Sequence, residues 1–181
     1  MIKSQIRNKI IKVRNKKFDK NLKIDLDKFI SFLKIKKLNS KNVGGYYPSN
    51  YEIDDLELLV LLKKKNFKVS LPIIKKNNQM NFYNWSINDP LKINKFGIPE
   101  PLGSKIIYPD ILLVPLVAYD GHLNRLGYGG GYYDRYIEKL EKIKKVIKIG
   151  LAFSFQKISS IPINQYDKRL DFIVTEKEIL K

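Results

Sequence analysis

The chain has 181 residues, 44% of them hydrophobic, no cysteine and a formal net charge of +17. That length suits one domain burying roughly 70% of its unfolded surface, and the apolar share excludes a disordered chain. The missing cysteine excludes disulfides, a thiol nucleophile and thiolate-bound zinc. No apolar run approaches the ~18 residues of a bilayer span. "MIKSQIRNKI" has no signal-peptide core, so no membrane and a cytoplasmic address are expected. The charge comes from 30 lysines and only five arginines: Arg7, Arg14, Arg125, Arg135 and Arg169. There are also 25 isoleucines and 15 asparagines against two alanines. Lys, Ile and Asn share A/T-rich codons, so base composition accounts for the charge as well as a nucleic-acid surface does. Guanine and phosphate readers lean on arginine, so no specific nucleic-acid partner is expected.

In chain order, "KSQIRNKIIKVRNKKF" puts Ile2, Ile6, Ile10 and Val13 on one helical stripe and Lys3, Arg7 and Arg14 on the next. "LDKFISFLKIKKL" repeats the amphipathic pattern with Leu26, Phe29, Ile30 and Leu33. "NVGGYYP" predicts a short strand over Val43 to Tyr47, stopped by Pro48. "DDLELLVLLKKKNF" predicts a helix capped by Asp54 and Asp55. "FKVSLP" predicts a strand ending at Pro72, "MNFYNW" another, and "LKINKFGIPEPLGS" a loop. "DILLVPLVAYD" reads as a strand buried on both faces. After a turn holding the one histidine, His122, comes "RLGYGGGYYDRY". "YYDRYIEKLEKI" then places Tyr133, Tyr136, Ile137 and Leu140 on the inward face of a helix. "VIKIGLAF" and "FIVTE" are the last strands. Trp85 and Met80 read as packing residues. The alternation predicts a three-layer α/β/α domain with a mostly parallel sheet.

Four of the ten glycines stand in Gly127–Gly131, between a buried strand and a helix. Ligands of open α/β sheets sit at the carboxyl ends of strands. There a glycine loop lets backbone N–H groups and a helix N-terminus approach an anion. The spacing G-x-G-G-G is neither a dinucleotide fingerprint nor a P-loop, so the alternatives are a phosphate site and a plain turn.

"LVPLVAYDGHLNRLGYGGGYYDRYI" resembles the signature of the 5-formyltetrahydrofolate cyclo-ligases. "KSQIR", "YYPSNYEID", "FGIPEP" and "DKRLDFIVTE" resemble further motifs of that family in the same order, over nearly the full length. The resemblance implies one cyclo-ligase domain over residues 1–181. It implies ATP- and Mg²⁺-dependent conversion of 5-formyltetrahydrofolate to 5,10-methenyltetrahydrofolate, by a monomer. It implies ATP contacts from Lys3, Ser4, Gln5, Ile6 and Arg7, and from Arg125, Leu126, Gly127, Tyr128, Gly129, Gly130, Gly131, Tyr132 and Tyr133. Folate would meet Tyr47, Glu52 and Tyr128 to Tyr132, with Arg125 and Tyr132 closest to the chemistry. Some relatives carry lysine at the position of Gly130, so a lysine–phosphate contact from that position is absent here. Asp134 and Asp171 would hold Mg²⁺. A final strand running antiparallel to its neighbours would bring Asp171 to the carboxyl rim beside Asp134. The resemblance assigns no role to Glu100. Two other readings stand beside it: an RNA-binding module using the lysine surface and tyrosines, and an α/β enzyme acting on a sugar phosphate or acyl carrier.

Overall fold

The computed structural model describes residues 2–38, 42–103 and 105–181. In chain order its elements are α1 (Lys3–Lys17), α2 (Leu26–Ile35), β1 (Asn42–Gly44), α3 (Leu56–Lys64), β2 (Lys68–Ile74), β3 (Met80–Asn84), β4 (Leu91–Ile93), β5 (Pro99–Pro101), β6 (Ile106–Ile107), β7 (Ile111–Pro115), β8 (Ala118–Tyr119), β9 (Arg125–Leu126), α4 (Tyr132–Glu141), β10 (Ile147–Leu151), β11 (Phe172–Val174) and β12 (Ile179–Leu180). Eight strands form one sheet in the order β12-β11-β10-β7-β1-β2-β3-β6. The five from β11 to β2 are parallel. The outer strands β12, β3 and β6 run antiparallel to their neighbours.

β7 shows why both sheet faces must be covered. Side chains alternate along a strand, so Ile111 and Leu113 join the core beneath α2 and α3, while Leu112 and Val114 join the one beneath α4. The first core is closed by Phe29, Leu33, Leu59 and Leu62, the second by Tyr136, Ile137 and Leu140. Each fully buried side chain of this kind contributes about 1.5–3 kcal/mol relative to exposure. The result is the α/β/α arrangement expected from the alternation of elements.

Helix α1 packs elsewhere. Ile6 and Ile10 sit on Val117, Ala118, Leu126 and Ile161, past the carboxyl end of β7. Ile2 is exposed, and Val13 only half-buried. One turn after Ile10, the buried residue is Arg14, which is 1% exposed.

Several local expectations are corrected. β2 runs through Pro72, which pairs with Phe82. Ser70 O accepts from Gly45 N and Val69 O from Trp85 N, so even-numbered residues of β2 face β1. β1 has ended at Gly44, and the N–H that Pro72 lacks would meet no strand there. The stretch 91–104, predicted as loop, holds the β4–β5 hairpin; its last residue, Ser104, lies outside the described residues. Glu100 fixes that hairpin, accepting from Ile74 N and Asn94 Nδ2, each at 3.3 Å, with Lys92 Nζ at 3.6 Å. The buried apolar run splits into β7 and β8, and β12 follows the strand expected to be last. Asp54 caps α3, its Oδ1 accepting from Leu56 N at 2.8 Å. Asp55 turns inward and accepts from Tyr46 N at 3.1 Å.

The turn between β8 and β9 is organised by Asp120, which is fully buried. Its carboxylate accepts from the N–H groups of His122, Asn124 and Ile161 and from Asn124 Nδ2. His122 itself is exposed. Burial pushes the Asp120 carboxyl up, but these bonds outweigh it and hold the group below the usual carboxylate range. A depressed carboxylate stabilises the fold above its unfolded pKa and loses that contribution as pH falls through the folded value. Asp120→Asn should therefore melt several degrees below the parent at pH 7. The gap should start to narrow as pH falls below about 4, the unfolded value, and close only below the lower folded value, where the parent's carboxylate is also neutral. Melting curves at stepped pH check this.

Candidate active site

The glycine loop leaves β9 at the carboxyl side of the sheet and enters α4. Gly129 has φ +103° and Gly131, the residue before α4, has φ +65°. These are left-handed conformations that glycine adopts without a Cβ penalty. A Cβ on Gly129 would stand 3.3 Å from the Arg7 guanidinium, so the missing side chain lets α1 close on the loop. Arg7 Nε donates to Gly127 O at 2.7 Å. Arg135, on α4, donates to the carbonyls of Gly130 and Asn78. A Cβ on Gly130 would stand 2.8 Å from the Tyr132 ring, so a lysine there would have to shift that ring. The amides of this loop and of the start of α4 are donors of the kind an anion site needs.

The structure brings much of the sequence-predicted ATP set together. Arg7 faces the loop from α1, while Lys3, one turn earlier, pairs with Asp167, its Nζ 2.5 Å from Oδ2. Ser4 and Gln5 are exposed. Ile6 and Leu126 are core side chains, which leaves their backbones for a ligand. Arg125 is 8% exposed, and its Nη2 donates to Asp134 Oδ1 at 2.7 Å. Its guanidinium also lies 5.9 Å from the Tyr133 ring centroid. Its charge is thus already matched by Asp134. Tyr136 points inward as expected, and Tyr133 is half-buried with its hydroxyl enclosed.

The Asp134–Asp171 pairing is corrected. β11 runs parallel to β10, so Asp171 stands at the amino edge of the sheet and not at the carboxyl rim. Its Oδ2 accepts from Lys148 N at 2.7 Å, and Lys148 Nζ pairs with Glu141 at the last turn of α4. Asp134 is in the first turn of that helix, where Lys168 N donates to the same Oδ1 that meets Arg125. The seven residues from Asp134 to Glu141 rise roughly 10 Å. The two carboxylates do not make one ion site, and no group of three acidic, histidine or cysteine side chains among the described residues does so.

On the folate side, Glu52 is 7% exposed; its Oε2 accepts from Ser49 N at 2.8 Å and from Ser49 Oγ at 3.2 Å. Burial pushes its pKa up, while the Ser49 N–H, Arg14 and Tyr128 pull it back. A cavity of about 420 Å³ opens beside it, lined also by Phe18, Leu22, Tyr51 and Phe153. Tyr47 is half-buried against the α2–α3 core. Tyr132 meets Phe96, at the tip of the β4–β5 hairpin, edge-on with ring centroids 6.2 Å apart.

Three residues here were not singled out as site residues by sequence reasoning: Arg14, Asp55 and Phe96. For Arg14, the helical stripe it shares with Lys3 and Arg7 was the available signal. Seven buried side-chain polar atoms lack a partner among the described residues. Five of them, Arg14 Nε, Asp55 Oδ1, Arg125 Nε, Tyr132 Oη and Tyr133 Oη, belong to this neighbourhood. Buried polar groups are otherwise almost always paired, so these five set this neighbourhood apart from the apolar cores.

Residues 2–176 match the model of the 5-formyltetrahydrofolate cyclo-ligase family. The chain is 35% identical over 140 residues to the 5-formyltetrahydrofolate cyclo-ligase of Haemophilus influenzae, covering 74% of each. It is 31% identical over 135 residues to that of Escherichia coli K12, covering 71% of this chain and 74% of the relative. The solution structure of Aquifex aeolicus 5,10-methenyltetrahydrofolate synthetase superposes with a TM-score of 0.78 at 33% identity, covering 100% of this chain and 93% of that one. The 5,10-methenyltetrahydrofolate synthetase of Mycoplasma pneumoniae superposes with a TM-score of 0.76 at 25% identity, covering 98% and 100%. With its α/β fold and its glycine loop at the carboxyl side of the sheet, this chain belongs to the 5-formyltetrahydrofolate cyclo-ligase family.

Proposed function

We propose that the protein converts 5-formyltetrahydrofolate to 5,10-methenyltetrahydrofolate at the expense of ATP, as a cytoplasmic monomer folded as a single domain. The observation that carries this reading is the glycine loop itself. Arg7 lies on one side of it, and its Tyr128 lies beside the buried carboxyl of Glu52. The formyl oxygen attacks the γ-phosphorus and ADP leaves. N10 then attacks the activated carbon and gives up its proton, the C–O bond breaks, and phosphate departs with that oxygen and can take the proton. An amide oxygen is a poor leaving group, and phosphorylation makes it a good one. Phosphoryl transfer asks the protein for positioning and charge neutralisation. The loop amides, the start of α4 and the guanidinium of Arg7 are the groups placed to supply both. Asp134 and Asp171 do not share a site for Mg²⁺, so the ion that the ATP reaction would use is assigned no ligand from this pair. Glu52 and Tyr47 hold the pterin, whose N–H donors suit a carboxylate. The tyrosines after the glycine loop have enclosed hydroxyls, which disfavours an RNA-stacking platform.

The test is purified protein with 5-formyltetrahydrofolate, Mg²⁺ and ATP, followed by methenyl absorbance. Product formed without ATP, or none with it, would sink the reading. Within it, Glu52→Gln should keep the fold, because the amide oxygen still accepts from Ser49. It should raise the folate KM by roughly ten- to a hundredfold, the loss of a charge-assisted bond worth about 1.5–3 kcal/mol. The ATP KM should stay close to the parent value. Separate substrate titrations decide the point.

A further inference from the structure

We propose that Arg14 is a positioning residue for the folate side of this site: it holds the Tyr128 hydroxyl and supplies the buried positive charge that faces Glu52. This rests on the folate reading given above. Arg14 comes from the last turn of α1, on the buried side with Ile6 and Ile10, where a helix packed on a core should place an apolar residue, yet it is 1% exposed. A guanidinium this buried demands partners, since desolvating an unpaired charge is costly. Its partners are the carbonyl of Leu116, 3.2 Å from Nη1, and the hydroxyl of Tyr128, which Nη2 reaches. The Tyr128 ring centroid lies 5.6 Å from its guanidinium carbon. Its Nε has no partner among the described residues. None of its hydrogen bonds goes to a carboxylate. A fixed positive charge therefore stands behind the loop tyrosine, unneutralised by direct contact.

Tyr128 connects this charge to Glu52. Arg14 holds the hydroxyl, and the hydroxyl lies beside the Glu52 carboxyl. Glu52 itself acts on Asp55 at the start of α3, Tyr46 after β1 and Tyr133 on α4, and the buried Arg125 beside Tyr133 is already paired with Asp134. Lys20 and Lys23 line the same cavity, but both are exposed, and Lys23 pairs with Glu57. Arg14 is thus the buried cation that offsets the burial of Glu52. An arginine suits this place because it stays charged when buried and its planar fork reaches both a carbonyl and a phenol. A charged Glu52 can accept from pterin donors; a protonated one presents a hydrogen to them and loses the charge-assisted bond.

The experiment compares wild type, Arg14→Met, Arg14→Lys and Tyr128→Phe. Two readouts are needed: the Glu52 carboxyl ¹³C titration without substrate, assigned with Glu52→Gln, and the pH profile of kcat/KM for 5-formyltetrahydrofolate. In Arg14→Met, the Glu52 titration should move up by at least one pH unit. The acid limb of the folate profile should follow it, with folate KM raised at least tenfold at pH 7 and ATP KM changed less than threefold. Arg14→Lys keeps the charge and should restore most of the titration shift. Tyr128 is half-exposed, so Tyr128→Phe folds even if Arg14→Met does not, and it should move the titration the same way by a smaller amount. A Glu52 titration at the wild-type position in Arg14→Met would overturn the proposal. If Arg14→Met does not fold, wild-type titration and folate KM in Tyr128→Phe would overturn it. A moved titration with no turnover even in wild type would leave the Arg14–Glu52 coupling standing and remove the folate reading instead.

Discussion

Asp134→Asn should cost about 3–5 kcal/mol of stability, while Asp171→Asn should cost about 1 kcal/mol. The difference follows from what each carboxylate holds. Asp134 is the counter-charge of Arg125, whose side chain is only 4% exposed. Replacing it leaves a buried guanidinium with a neutral neighbour, the expensive half of a broken pair. Asp171, with a side chain 37% exposed, accepts one backbone N–H and faces Lys148 at 3.9 Å, a long and partly screened contact. With separate partners and most of α4 between them, the two losses should add to within about 0.5 kcal/mol in the double mutant. Two carboxylates sharing one ion would do the opposite. Denaturant melts of both single mutants and the double mutant, beside Mg²⁺ titrations of activity, separate the cases. Strong non-additivity with matching shifts in Mg²⁺ requirement would restore the shared site.

The second large effect is expected at the loop. Gly129→Val should leave the core intact and reduce kcat/KM for ATP by about a hundredfold. At φ +103° a β-branched residue is strained by about 1–3 kcal/mol, so the loop would leave its present path. The new side chain would also push on Arg7, whose guanidinium stands where it must go. Gly129 is exposed, and the melting temperature should fall only slightly. Nucleotide affinity measured beside melting distinguishes a displaced loop from a destabilised fold. Parent-like ATP kinetics would show that the loop conformation is not needed.

Much of the layered architecture was legible because periodicity reports burial directly. Ile6 and Ile10 on one stripe, the doubly buried β7 and the apolar face of α4 each follow from spacing alone. What was not legible depends on neighbours distant in sequence. Pro72 reads as a strand end, and only the early finish of β1 makes it acceptable inside β2. The prolines around Glu100 read as loop, yet in a two-stranded hairpin every strand is an edge and tolerates proline. Asp54 and Asp55 are equivalent caps in a one-dimensional reading. Packing decides that the first caps and the second is buried against Tyr46. The direction of β11 is likewise a property of the sheet and not of "FIVTE", and the Asp171 assignment to the carboxyl rim failed there. The glycine loop was legible because its residue types are costly anywhere else.

Helix α1 is held almost wholly by groups far along the chain: Gly127 for Arg7, Leu116 and Tyr128 for Arg14, Asp167 for Lys3, and Ile161 beneath its apolar side. During synthesis the helix is therefore made long before anything it can dock on. At about 5–20 residues per second, the wait until residue 167 is on the order of ten to thirty seconds. Through that interval its isoleucines have no core to enter, and a 15-residue helix is marginal by itself. Made before everything it docks on, α1 is thus among the last elements to settle, and it is the period before it docks that exposes the nascent chain to chaperones and proteases.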